Sequence, residues 1–273
     1  MPANAAGRLA NLACRAVVGT GGNVLIPGIT VAAGAAKQVF IRAAGPALTG
    51  LGVDGALATP VLTLLNGGAV VATNTGWSTA PNAAQIAGVA AATGAFPFAP
   101  ASADSALLAT LPPGGYTAKV EGAGGATGVA LVEVCEVDGA TAKLSNLACR
   151  AQVGTAGNVL IAGITINGPG PKQLLIRAAG PALTQFGVGG ALTAPVLTLF
   201  NAAGPIAANV GWGTAPNSAQ IAAAAARTGA FPFAAGNADS ALFVTLAPGG
   251  YTAQISGAGG ATGVGLVEIY ELP

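Results

Sequence analysis

The chain has 273 residues, enough for one large domain or two ordinary ones, each able to bury its own core. Only 7% of residues are charged, there is no histidine, and the net charge is +1. Those numbers argue against nucleophilic triads, zinc hydrolysis and most general-base chemistry. Ten basic residues scattered along the chain form no patch, so no nucleic-acid partner is expected. No apolar run approaches the roughly 18–20 residues that cross a bilayer, so no membrane span is expected. A near-zero net charge favours association over solubility.

The N-terminus, residues 1–7, lacks the basic region and apolar core of a signal peptide and reads as a tail. An exported chain with this start has lost a leader or uses another route. From there, sliding the sequence on itself by 135 positions aligns residues 8–138 with 143–273 without a gap, at roughly two-thirds identity. Cys14 falls on Cys149, Arg42 on Arg177, Trp77 on Trp212, Asp104 on Asp239, Tyr116 on Tyr251 and Glu133 on Glu268. Residues 139–142 are then a linker between two copies of one module, and a period this long marks a repeated domain rather than a solenoid coil.

Gly, Thr, Val and Ala with 18 Pro as punctuation favour many short strands and turns over long amphipathic helices. Residues 8–18 give a first strand. Residues 23–31 form a second with a Pro-Gly interruption, and Lys37–Arg42 a third, stopped by Ala43-Ala44-Gly45-Pro46. Pro60–Leu65, the turn Asn66-Gly67-Gly68 and Ala69–Ala72 read as a hairpin. Pro81–Ala92, and its copy Pro216–Arg227, are alanine-rich and followed by glycine, which predicts one short helix per module over an end of the fold. Ser105–Leu111, Tyr116–Val120 and Val129–Val134 complete the strands. The expected fold is all-β, two tandem Ig-like or jelly-roll-like β-sandwich domains.

Candidate chemistry is sparse. Glu133 and Glu136 lie three apart, so a regular strand points them to opposite faces. Asp104 precedes a strand and reads as a turn cap, which leaves a carboxylate-pair glycosidase as a distant alternative. Arg42 shares a strand face with Phe40 and is expected to pair with Glu133 or Asp104, as Arg177 is with Glu268 or Asp239. Trp77 and Trp212, in Gly-bearing loops, are candidate ligand or interface aromatics. Tyr116 follows a Pro-Pro-Gly-Gly turn and is expected to pack beneath it, its hydroxyl on the backbone. Gly19–Gly22 and Gly122–Gly125 lack the Lys-Ser/Thr ending of a phosphate loop and read as turns. With Asp54 and Asp138 missing from the second copy, no calcium site is expected, nor any other metal or cofactor.

The cysteines break the symmetry. Cys14 and Cys149 are equivalent, but Tyr270 stands opposite Cys135. Three thiols allow at most one intrachain disulfide, Cys14–Cys135 or Cys135–Cys149, leaving one to cross-link a neighbour; three buried thiols is the alternative.

Several words of the sequence carry a resemblance: Arg8–Leu12, Val18–Gly21, Ile41–Leu48, Asn74–Trp77, Leu111–Thr117 and Gly128–Glu133. They resemble a module that occurs in tandem in large exported or cell-surface bacterial proteins and lacks assigned catalysis. The turn before Tyr116 is also similar to that of bacterial pre-peptidase C-terminal β-sandwich domains. The resemblance implies a secreted or cell-surface location, and the cysteines at 14, 135 and 149 depart from it. The expected role is a non-enzymatic subunit of an extracellular filament or surface assembly. Such a subunit would bind copies of itself head to tail, with strand 8–18 adding to a neighbour's sheet edge. The alternative is an adhesive module pair binding carbohydrate or a surface, a cell-surface glycan included, through Trp77 and Trp212.

Overall fold

The computed structural model describes residues 8–137 and 144–272; the expected tail 1–7 and linker 139–142 lie outside them. By contacts the chain forms two compact units. One holds residues 13–137 with 144 and 145, and the other holds 8–12 with 146–272.

The first unit is built from β1 (Arg8–Val18), β2 (Ile26–Val31), β3 (Lys37–Ala44), β4 (Pro60–Asn66), β5 (Ala69–Asn74), β6 (Ser105–Leu111), β7 (Gly114–Gly122) and β8 (Gly128–Glu136). Helices are a single turn α1 (Pro46–Thr49) and α2 (Ala83–Ala92). One layer runs β5-β4-β7-β2, the other β6-β3-β8-β1. The pairings described strand by strand are antiparallel, and β4 packs on β3 and β6 across the two layers. This is a β-sandwich, with Val39, Ile41, Leu62, Leu64, Ala118 and Val132 almost fully buried inside it. Alternation along β7, with Tyr116, Ala118 and Val120 buried between half-buried neighbours, reflects the period of two of a strand with one covered face.

Turn chemistry closes the layers. Asn66 pairs with Ala69 around Gly67 and Gly68, whose φ values of 54° and 89° are the left-handed pair that a two-residue hairpin needs. At Gly45 the reason is contact rather than φ: an added Cβ would lie 2.1 Å from the Leu57 carbonyl oxygen, so only glycine fits before Pro46. Strand β2 begins at Ile26, later than the expected residue 23, because residues 21–23 form a 3-10 turn and Leu25 makes its own bridge to Val120.

The second unit repeats the plan with β9 (Leu144–Val153), β10 (Leu160–Asn167), β11 (Lys172–Ala179), β12 (Pro195–Asn201), β13 (Gly204–Val210), β14 (Ser240–Leu246), β15 (Gly249–Gly257), β16 (Gly263–Glu271) and α3 (Ser218–Thr228). Its layers are β13-β12-β15-β10 and β14-β11-β16-β9. The N-terminal residues 8–12 of β1 belong here, and the Leu9 N–H donates to the Glu271 carboxylate at 2.9 Å. Among the described residues no helix is long and apolar enough to cross a membrane.

Candidate functional site

In each unit one arginine lies at a concave region. Strand β3 delivers Arg42 to Glu133 of β8 because the two are register partners in the antiparallel ladder. The Arg42 Nε donates to Glu133, and Nη1 donates to the Phe96 carbonyl at 2.5 Å. The guanidinium carbon lies 4.0 Å from the Phe96 ring centre and 4.7 Å from that of Phe98, two cation–π contacts on adjacent sides of a side chain that is 1% exposed. Arg177 repeats this: Nη1 is 3.1 Å from Glu268, Nη2 donates to the Phe231 carbonyl at 2.6 Å, and Phe231 and Phe233 lie at 4.4 and 3.8 Å.

Asp104 does not join Arg42. Its Oδ1 accepts from the N–H groups of Gly45 (2.7 Å) and Ala47 (3.2 Å), and Oδ2 accepts from the Ser102 hydroxyl at 2.8 Å. Asp239 does the same for Gly180 and Ala182. These aspartates hold the Gly-Pro turns that start α1 and, in the second unit, the 3-10 turn Pro181–Phe186, so they act on the backbone. A second buried ion pair, Lys37 with Glu136 at 3.4 Å and Lys172 with Glu271 at 2.8 Å, was not anticipated from the sequence. It joins β3 to β8 and β11 to β16 near the far ends of the ladders.

Above the arginine, a cavity of about 300 Å³ opens between Phe40, Trp77, Phe98 and the alanines of α2; its counterpart of about 310 Å³ is lined by Trp212, Phe233 and the alanines of α3. Trp77 is half-buried, packs against the cluster of Phe40, Ile86, Ala106 and Cys135, and donates its indole N–H to the Ala99 carbonyl at 3.1 Å. Its own backbone N–H donates to the Asp104 carbonyl at 2.7 Å, so the aspartate segment fixes the tryptophan turn. Trp212 donates to the Asn237 side chain at 3.1 Å. The Tyr116 hydroxyl donates to the Pro112 carbonyl, and that of Tyr251 to the Ala247 carbonyl, each at 3.0 Å. Neither tyrosine lines the tryptophan cavities.

The disulfide expected among Cys14, Cys135 and Cys149 does not form: each is a buried thiol. Register gives the reason. In the second unit Cys149 lies opposite Val267, three residues from Tyr270, the counterpart of Cys135, and an odd offset puts the two positions on opposite faces of the sheet. Burial, with the Glu133 carboxylate adding to it, pushes the Cys135 thiol up to about 12. A buried, protonated thiol is a poor nucleophile. Native protein treated with a chromogenic disulfide reagent at neutral pH should therefore release almost no product, and denatured protein about three equivalents; rapid stoichiometric labelling of the native chain would contradict the burial.

At the same site in the second unit, the Tyr270 hydroxyl donates to Glu268 at 2.7 Å. Burial raises Glu268 above its ordinary 4.5, although Arg177 and this hydrogen bond both oppose it. Burial likewise raises Asp239 above 3.8, against the N–H donors and Arg177. The folded chain therefore holds protons that the unfolded chain has released. That share of stability is complete below those ordinary values and is lost as pH rises through the raised ones. Denaturant midpoints of the second unit should fall as pH climbs from about 4 towards neutrality, and Asp239→Asn should flatten the slope. A rising midpoint would reverse this reading.

No protein-family model matches the chain, and no curated protein does. Among solved structures it is similar to the tandem CBM51 modules of the family 98 glycoside hydrolase from Streptococcus pneumoniae, at 7% identity over 94% of this chain and 83% of that one, with a TM-score of 0.25. It is similar to PNGF-II at 10% identity over 98% of this chain and 61% of that one, with a TM-score of 0.22. Likeness at this level assigns neither fold nor ligand, and the β-sandwich rests on the strand pairings themselves.

Proposed function

We propose that this is a non-catalytic binding protein of the cell exterior, made of two tandem β-sandwich modules that each present the same tryptophan-walled cavity to a glycan. The observation that carries the reading is the repeat of the cavity, with equivalent Trp, Arg and Phe residues around about 300 Å³ in both modules. An indole face beside small alanines suits the C–H face of a sugar ring, and the buried guanidinium beneath holds the loop that walls the cavity. Two equivalent weak sites on one chain give avidity for a surface that displays many copies of a ligand. Glycan-array binding should fall at least tenfold in Trp77→Ala/Trp212→Ala, with less loss in either single variant. Unchanged binding by the folded double variant would end the reading.

A second reading, a structural subunit of an extracellular assembly, is favoured by one observation of its own. Residues 8–12 of β1 group with the second module rather than with the rest of their strand.

A further inference from the structure

One contact is made twice in the chain, and only one of the two is tied to its own copy. The Leu144 N–H donates to the Glu136 carboxylate at 2.8 Å across eight positions of sequence. So short a connection keeps this contact within one molecule. The equivalent contact, 135 positions earlier for the donor and later for the acceptor, is the Leu9 N–H on Glu271 at 2.9 Å, and it spans 262 positions. Leu9 and Leu12 are buried at 2% and 4%, as Leu144 and Leu147 are at 1% each. The two start-of-strand segments are therefore bound in the same manner, one at the end of β8 and the other at the end of β16. The first lies eight positions from its acceptor, and the second meets its acceptor across 262 positions.

Residues 8–12 of a second copy carry the same groups and fit the same acceptor. Resting on the assembly reading above, we infer that residues 8–12 are an exchangeable donor strand, taken up beside Glu271 of another copy of this chain. Donor and acceptor lie on opposite modules, so the contact is heterologous: each chain gives its first strand to one neighbour and receives one from the other. Such exchange propagates head to tail and repeats, between chains, the junction that Leu144 and Glu136 make inside one. No contact is gained or lost, so concentration decides: the closed form dominates when dilute, and the open form takes over as the protein concentration approaches the effective concentration of its own segment, on the order of millimolar.

The test is to refold the full chain from denaturant at about 1 µM and at about 1 mM and to size the products by light scattering and negative-stain microscopy. The expected result is monomer at the low concentration and a ladder of integer multiples at the high one, the multimeric share rising about tenfold or more. Leu9→Asp/Leu12→Asp should abolish the ladder. A synthetic peptide of residues 8–18 added to unaltered chain should shorten it by occupying the acceptor, which guards against a variant that merely misfolds. A ladder that survives both the double variant and the peptide overturns strand exchange but leaves assembly standing. Monomer at every concentration overturns both. Trp77→Ala/Trp212→Ala should form the ladder normally, which separates this surface from the cavities; its loss there would also count against the strand mechanism.

Discussion

Arg42→Ala should destabilise the first module by about 3–5 kcal/mol, because it leaves the Glu133 carboxylate buried with no cation. Glu133 is 9% exposed, and the guanidinium is its ion-pair partner. The same change removes the guanidinium from against the Phe96 and Phe98 rings, so part of the loss is packing. A loss of that size is a large part of the 5–15 kcal/mol typical of a domain. Chemical denaturation should show the first module unfolding ahead of the second. The paired change Arg42→Met/Glu133→Leu removes both charges and keeps apolar volume, so it should recover most of the stability. Wild-type stability in Arg42→Ala alone would mean that Glu133 finds water, contrary to its burial.

Asp104→Ala should cost about 2–4 kcal/mol by a different route, since it orphans two backbone donors, Gly45 and Ala47, in a buried turn. Asp104 itself is 0% exposed. Asp104→Asn keeps an acceptor oxygen and should lose roughly half as much. Equal stability of Asp104→Ala and wild type would remove the capping role. The result bears on the glycosidase alternative too, since a group whose two oxygens are engaged by Gly45, Ala47 and Ser102 is committed to holding backbone.

Much of the sandwich is legible in the letters because its strands alternate and its turns use glycine where the backbone demands it. The Arg42 and Glu133 pairing follows from the ladder once β3 and β8 are known to be neighbours: the residue numbers of every pair in it have the same sum, so Val39 must meet Glu136 when Arg42 meets Glu133. That neighbour relation is long-range, which is why Lys37 with Glu136 went unforeseen. The Phe96 and Phe98 contacts with Arg42 were hidden for another reason. Residues 95–101 have no periodic pattern, and a loop's path over an arginine depends on the whole fold rather than on local preference. The cavity was hidden because the sequence marks α2 as a helix but says nothing of the space its side chains fail to fill.

The alanines of α2 and α3 therefore set a dimension. A helix covering a sheet ordinarily sends leucine or isoleucine down into the gap, and here Ile86 and Ile221 do so while Ala87, Ala90 and Ala91, with Ala222, Ala225 and Ala226, stop short. Leucine at those positions would add roughly three methylenes at each and fill part of the cavity. The width of each opening is written in methyl groups on two helices, and it can drift by single substitutions while the sandwich beneath stays as it is.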